Sequence, residues 1–406
     1  MTKDDKDGPQ RRPTTRLLRA GRESDLAGPF VNPPVVHAST VLFPTIEDMH
    51  ASTVLFPADG TARGTRGRYT YGRRGTPTSE ALEAAMNELE GADGTVLVPS
   101  GLTAASVALL SCLNAGDRLL ATDSVYGPVR HFADTVLKRL DIETVYFEPH
   151  LGAAEIEALL TANTRAVYLE SPGSLTFEMQ DIPAIAEVAH RHGALVLADN
   201  TWATPLYFRA LDHGVDLSVI SGTKYLGGHS DVMIGTVAAR GEAWKNLKEL
   251  HGAMGLHVGP DDMFLALRGI RTLAIRLEHH EKSALAIAQW LQARPEVSRV
   301  LYPPLESDPG HGLWKRDMTG ACGLFGVVLN GWSEAQAQQF ADHLVLFGIG
   351  ASWGGFESLV TLPLVKRTAR RWQAEGPLMR LHIGLEDPAD LIADLEAAFA
   401  YVAGGG

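Results

Sequence analysis

Residues 164–200 read TRAVYLESPGSLTFEMQDIPAIAEVAHRHGALVLADN. A short β-rich run that includes Tyr168 is followed by the polar loop ESPGSLTFEMQD. A helical stretch, IPAIAEVAHRH, comes next and is stopped by Gly193, and ALVLADN reads as a second strand. Strand, covering helix and strand in this order make a unit in which the strands run parallel. The same alternation extends outward on both sides, through GTVLVPS (94–100), DRLLATDSV (117–125), ETVYFE (143–148), LSVISGT (217–223) and TVAAR (236–240). Together these runs predict an α/β protein with a largely parallel seven-stranded sheet covered by helices on both faces. Functional residues of such sheets belong at the carboxyl ends of the strands, and Ser100, Ser171, Asp199 and the stretch Ser221 to Lys224 all fall there.

Beyond residue 260 the pattern changes. One long helical pattern, DDMFLALRGIRTLAIRLEHHEKSALAIAQWLQ, precedes a mixed, turn-rich region that ends in the strand-like RLHIG and the helix DPADLIADLEAAFA. Asp387 is placed to cap that helix, with Pro388 in its first turn and Leu391, Ile392, Leu395 and Phe399 on one face. This reads as a smaller C-terminal α+β domain. The expected division is 1–75 as a tail and extended arm, 76–270 as the large domain and 271–406 as the small one.

Composition narrows the classes. The 406 residues carry 36 Lys plus Arg against 48 Asp plus Glu, a net charge of −12, which argues against binding nucleic acid or an anionic membrane. The first 16 residues are charged and lack an apolar core, so they read as a floppy tail and not as a secretory signal. The apolar stretch Leu102–Leu113 is too short for a membrane span, which needs about 20 residues. Cys112 and Cys322 lie in apolar runs without a C-x-x-C, which points to reduced core residues in a cytoplasmic protein. HASTVLFP occurs at 37–44 and again at 50–57, either an insertion in the arm or an error in the recorded sequence; one repeat is no solenoid.

A lysine at a strand end is ordinarily a surface residue, but Lys224 stands in SVISGTKYLGGHSD. Ser221 and Thr223 bring hydroxyls beside its amine, while Gly222, Gly227 and Gly228 let a bulky group approach the backbone. No Walker A pattern is present. Hydroxyls, glycines and an amine suit an aldehyde cofactor bearing a phosphate and bound as a Schiff base. Asp199, at the end of the neighbouring strand, would keep a pyridinium nitrogen protonated. Ser100, Gly101 and Leu102 open a helix whose free N–H groups suit an anion, and Tyr126 in DSVYGP is placed to stack on a ring. Glu278, His279, His280 and Glu281 lack H-E-x-x-H spacing, so they read as a solvated helix face and no metal is expected. There is no G-x-S-x-G elbow for a serine hydrolase, and no G-x-G-x-x-G after the first strand for a nicotinamide-binding protein.

With YTYGRRGTPTSEALE, VPSGLTA, DSVYGPV, LESPGSLTFE, ADNTWATP, SGTKYLGGHSDVMIG, SWGGFESL and RLHIGLED in order, the chain resembles the Cys/Met-metabolism family of pyridoxal-phosphate enzymes, of fold type I, over roughly residues 14–400. The resemblance implies pyridoxal 5'-phosphate as cofactor, with Lys224 as its Schiff-base lysine and Asp199 as partner of the ring nitrogen. It implies Gly101, Leu102, Ser221 and Thr223 as phosphate ligands and Tyr126 as the stacking, proton-handling tyrosine. Tyr71 and Arg73 match residues given to a neighbouring subunit's phosphate, so a dimer with shared sites, paired into a tetramer, is expected. Arg380 matches the fork for the substrate α-carboxylate, beside Ser352 and Trp353. SWGGFESL and ESPGSLTFE are most similar to the members that cleave cystathionine at Cβ; cleavage at Cγ is the alternative. The duplicated octapeptide departs from the family pattern and lengthens the arm that must deliver Tyr71 and Arg73.

Overall fold

The computed structural model of the chain describes residues 12–22, 30–54 and 69–404. Seven strands form the large sheet: β1 (Gly94–Val98), β2 (Arg118–Thr122), β3 (Glu143–Phe147), β4 (Thr164–Glu170), β5 (Leu195–Asp199), β6 (Leu217–Ser221) and β7 (Gly235–Ala239). Their spatial order is β1-β7-β6-β5-β4-β2-β3. Only β7 is reversed, pairing antiparallel with both β1 and β6; β3, β2, β4, β5 and β6 pair in parallel. All seven strands read from the sequence are present. They are the apolar runs because helices cover both faces, and β1 and β7 are buried along their whole length.

This topology places the site. Because β1 is parallel to β6 through the reversed β7, the carboxyl ends of β1, β2, β4, β5 and β6 share one edge. Gly101, Tyr126, Glu170, Asp199 and Lys224 therefore emerge on the same side of the sheet. The helix Ile182–Arg191 shows how local sequence sets that geometry: the Asp181 carboxylate accepts from Ala184 N at 3.2 Å, and Gly193 at φ +73 ends the turn before β5 begins.

A second sheet has the order β10-β11-β12-β9-β8, built from β8 (Val297–Leu301), β9 (Leu324–Leu329), β10 (Gly348–Ile349), β11 (Leu359–Thr361) and β12 (Leu378–His382). The closing helix Pro388–Ala403 is capped by Asp387 as expected, with Leu391, Leu395 and Phe399 buried and Ile392 half-buried. Three expectations need correction. The long helical pattern is two helices, Pro260–Ile270 and Leu273–Gln292. At Gly269 a Cβ would lie 2.2 Å from Leu226 O, so the end of the first helix is packed closely onto the loop after Lys224. Arg276 spans the break, donating from Nη2 to Gly269 O and Tyr225 O at 2.8 Å each. The tail is not uniformly without order, since Pro13–Arg19 is a helix that buries Leu17 and ties Arg16 to Glu88; residues 1–11 lie outside the described residues. Within 278–281 Glu278 is exposed but His280 is fully buried, so the stretch is not a solvated face throughout.

The duplicated sequence adopts two structures. HASTV at 37–41 is without helix and bridges Thr40 to Tyr71, whereas HASTV at 50–54 lies in the helix Ile46–Val54. The helix is started by Thr45, whose hydroxyl accepts from Asp48 N at 3.0 Å and donates to the Asp48 carboxylate at 2.8 Å. Residues 55–57 of the second copy lie outside the described residues.

Candidate active site

Lys224 follows β6 in a tight turn, its N–H donating to Ser221 O, and its half-buried amine reaches Ser352 Oγ at 2.7 Å. The same amine lies 5.3 Å from the centre of the Trp353 ring. Burial, then the charge of Arg380, draw the Lys224 pKa down to about 8, against a smaller opposing pull from Asp199. Part of the lysine is therefore neutral, and nucleophilic, near physiological pH.

Asp199 ends β5 and accepts from Thr201 N at 3.0 Å. Its pKa is raised by burial, against the hydrogen bonds of Thr201 and the charge of Lys224. A cationic ring N–H against this carboxylate would supply the partner that burial demands. Tyr126 is 45% exposed, and its hydroxyl is held in the protonated form by burial and by Glu170 and Asp199, with Arg380 opposing. Tyr126, Asp199, Lys224 and Arg380 thus lie within electrostatic reach of one another.

The phosphate cradle is a close fit between two strand ends. Ser100 caps the helix Gly101–Leu110, its hydroxyl accepting from Thr103 N at 3.1 Å, while Leu102 is 38% exposed beside it. A Cβ on Gly101 would sit 2.5 Å from Ser221 Oγ, so only glycine lets the helix N-terminus meet that hydroxyl. Thr223 Oγ1 accepts from Ile234 N at 3.1 Å, which fixes its side chain at the same edge. Helix N–H groups, serine and threonine hydroxyls, the Lys224 amine and the buried Asp199 carboxylate fit pyridoxal 5'-phosphate.

Arg380, on β12, donates from Nη2 to Ala351 O at 2.8 Å and Ser352 O at 3.2 Å, which sets the Ser352–Trp353 loop over Lys224. Tyr71 and Arg73 lie apart from this group: Tyr71 pairs with Thr40, and Arg73 Nη1 donates to Gly252 O at 3.1 Å. Glu170 is a site residue that sequence reasoning missed. It ends β4 opposite Asp199 in the register, and its Oε2 accepts from Tyr126 N at 2.7 Å. Its pKa is raised above the usual carboxylate range, by burial first and then by Asp199, and its hydrogen bond to the Tyr126 N–H holds the Tyr126 loop. A carboxylate ending an apolar strand in LESPGS was the available signal. Among the described residues no group of three or more His, Cys, Asp or Glu side chains is arranged to hold a metal ion.

Residues 14–400 match the Cys/Met metabolism PLP-dependent enzymes. The chain belongs to this family. Pyridoxal 5'-phosphate is accordingly its cofactor, and the chain is an enzyme of that chemistry. A Rhizobium johnstonii protein named, provisionally, a cystathionine beta-lyase is 53% identical over 391 residues, 95% of each chain. The cystathionine beta-lyase MetC of Escherichia coli is 41% identical over 396 residues, 96% of this chain and 98% of that one. The crystal structure of metB from Corynebacterium glutamicum superposes with a TM-score of 0.86 at 31% identity, covering 97% of this chain and 99% of that one. The fold expected from the strand pattern is therefore that of the family.

Proposed function

We propose that the protein is a carbon–sulfur lyase that cleaves L-cystathionine by α,β-elimination to L-homocysteine, pyruvate and ammonia. The observation that carries this reading is the meeting of Lys224, from the large sheet, with Ser352 and Arg380 from the small one. It brings a base, a carboxylate fork and the cofactor cradle together at the carboxyl edge of the large sheet.

Pyridoxal 5'-phosphate, when bound, supplies an aldehyde and an electron-withdrawing ring. Asp199 holds the proton on the ring nitrogen, and Gly101, Leu102, Ser221 and Thr223 hold the phosphate. Arg380 orients the substrate α-carboxylate through donors beyond Nη2, with Ser352 and Trp353 closing over it. The Lys224 amine, neutral in part because its pKa lies near 8, takes the Cα proton. The thiolate departing from Cβ receives a proton from Lys224 or from the Tyr126 hydroxyl, which its surroundings keep protonated.

The relatives named cystathionine beta-lyase support Cβ as the cleavage point. A product assay on L-cystathionine tests it: pyruvate with homocysteine is expected, while 2-oxobutyrate with cysteine would transfer the reading to Cγ. The assembly is part of the same proposal. Tyr71 and Arg73 serve a neighbouring subunit's phosphate in dimers that pair into tetramers, the arm before residue 76 crosses to that neighbour, and the domain boundary falls near residue 271. Arg73→Ala and Lys224→Ala chains, each inactive alone, should regain activity when mixed, since one site of the hybrid carries neither defect. Confirmed subunit exchange without activity would return both residues to the arm surface. The reading places the enzyme in the cytoplasm; among the described residues no helix is long and apolar enough to cross a membrane.

A further inference from the structure

Beneath the Ser352–Trp353 loop lies a buried pair of histidines that the chemistry above does not use. His382 is 1% exposed and His280 is fully buried, with ring centres 5.3 Å apart. Tyr225, the residue after Lys224, packs edge-on against both rings and at 5.5 Å against Trp353.

Hydrogen-bond chemistry fixes the proton on each ring. Gly354 N lies 3.1 Å from His382 Nε2, and a backbone N–H can only donate, so Nε2 is the acceptor and the His382 proton sits on Nδ1. Gly355 O approaches the same nitrogen at 3.2 Å and would accept from the Nε2–H tautomer, so the Nδ1–H tautomer is the one selected by the shorter Gly354 bond. His280 Nδ1 lies 2.7 Å from Ile383 O, an obligatory acceptor, so that nitrogen carries the proton and Nε2 is a bare lone pair. The two remaining ring nitrogens, His382 Nδ1–H and His280 Nε2, are both buried and without a partner among the described residues. One is a donor and the other an acceptor on adjacent rings. A bond between these two nitrogens, direct or through one water, would satisfy both, and unpaired buried polar groups of this kind are costly.

We propose that His382, backed by His280, is a positioning residue for the catalytic lysine. Joining the two rings would complete a one-directional relay from Gly354 N–H through His382 and His280 to Ile383 O, and the Gly354 bond to His382 already pins the Ser352–Gly354 loop against Lys224. The loop is tight at this point: Gly354 has φ +86, and a Cβ there would lie 2.9 Å from the Lys224 backbone. A shift of Gly354 therefore moves Ser352 Oγ and Trp353 relative to the lysine amine. On β12, Arg380 and His382 share a face and hold opposite ends of the loop, the arginine through the carbonyls of 351 and 352 and the histidine through the N–H of 354. The relay needs both rings neutral. Burial holds them so, His382 down to about pH 3 and His280 down to about pH 4, with Arg380, Lys224, Arg276 and His279 adding repulsion.

This inference rests on the proposed role of Lys224, and its test keeps the two apart. Ring nitrogen-15 shifts of the cofactor-loaded protein, assigned with His280→Gln and His382→Gln, should show both histidines as Nδ1–H tautomers, unchanged between pH 8 and pH 5.5. An Nε2–H tautomer on either overturns the relay. His382→Phe keeps the volume and loses the acceptor, and should raise KM about tenfold, the scale of one lost ordering bond. It should also displace the pH midpoint of the cofactor's visible band. His382→Gln, whose amide oxygen reaches the position of Nε2, should restore both. His280→Leu should shift the band midpoint the same way by less, which covers the case in which His382→Phe does not fold. A His382→Phe or His280→Leu protein that melts lower while KM and the band midpoint stay at wild-type values overturns the proposal. The band and the nitrogen shifts need no substrate, so they report on the relay even where the product assay on L-cystathionine fails.

Discussion

Asp199, Ser221 and Glu170 end strands that are hydrogen-bonded on both sides within the large sheet, whereas Ser352, Trp353 and Gly354 sit on a loop after a two-residue strand at the edge of the small one. The first group owes its position to seven strands of continuous ladder. The second is tied down by two side chains of β12, Arg380 and His382, and by its contact with Lys224. The contrast assigns work to each half. A rigid strand edge suits a group bound through many turnovers, and a loop held by a few bonds suits a substrate that must enter and leave on each one.

Substitutions in the two halves should accordingly damage different quantities, and the largest effect belongs to the sheet. Lys224→Ala should retain cofactor through the cradle of Gly101, Ser221 and Thr223 while kcat falls by about 10^4-fold or more, because base and cofactor anchor go together. Absorbance after gel filtration and the pyruvate rate measure the two. Near-normal turnover would sink the mechanism. Asp199→Ala should weaken cofactor binding and lower kcat by about 100-fold, in the range of losing one preorganised electrostatic group. An unchanged rate would reduce Asp199 to a cap for Thr201.

Damage on the loop side should appear mainly in KM. Arg380→Lys keeps a charge but loses the planar fork, so KM should rise by about 10- to 100-fold. The pH at which Lys224 becomes neutral should stay where it is. Arg380→Ala removes the charge that lowers the Lys224 pKa, so that midpoint, near pH 8 in the parent, should move upward. The rate at which cofactor-free protein captures pyridoxal 5'-phosphate reads it directly, since only the neutral amine attacks. A downward or absent shift in Arg380→Ala would remove the electrostatic link between the halves.

The same contrast governs what the sequence made legible. All seven strands of the large sheet were readable, because strands covered on both faces are unbroken apolar runs between helices. Lys224 and Asp199 followed from their places at the ends of those runs. In the second sheet, Leu359–Thr361 and Gly348–Ile349 are too short to show a period, and the break after Ile270 lies within an uninterrupted helical pattern, beside a contact of Gly269 with the Leu226 carbonyl that is remote in sequence. His280 read as part of a charged helix face, and only its partner Ile383, more than a hundred residues away, explains its burial. Glu170 escaped because a lone carboxylate in ESPGS carries no motif; its meaning is the Tyr126 N–H that the fold brings to it.

The smallest effect concerns the duplicated octapeptide. Deleting residues 45–57 leaves the first HASTVLFP in place, and three contacts of the arm lie outside the deleted stretch. Val36 N donates to Thr78 Oγ1 at 2.8 Å, Gly72 N donates to Ser39 O at 2.8 Å, and Thr40 bridges to Tyr71. Tyr71 and Arg73 are thus registered by residues 36–40, and the additional residues lengthen only the excursion between Val41 and Thr70. Shortening that excursion from 30 residues to 17 should recover about 0.5 kcal/mol of loop-closure entropy, less whatever the helix Ile46–Val54 contributes. The expected result is a melting temperature within a degree or two of the parent and unchanged cofactor retention. If retention instead rises on deletion, the longer arm displaces Arg73, and the bridge at Thr40 does not by itself register the arm.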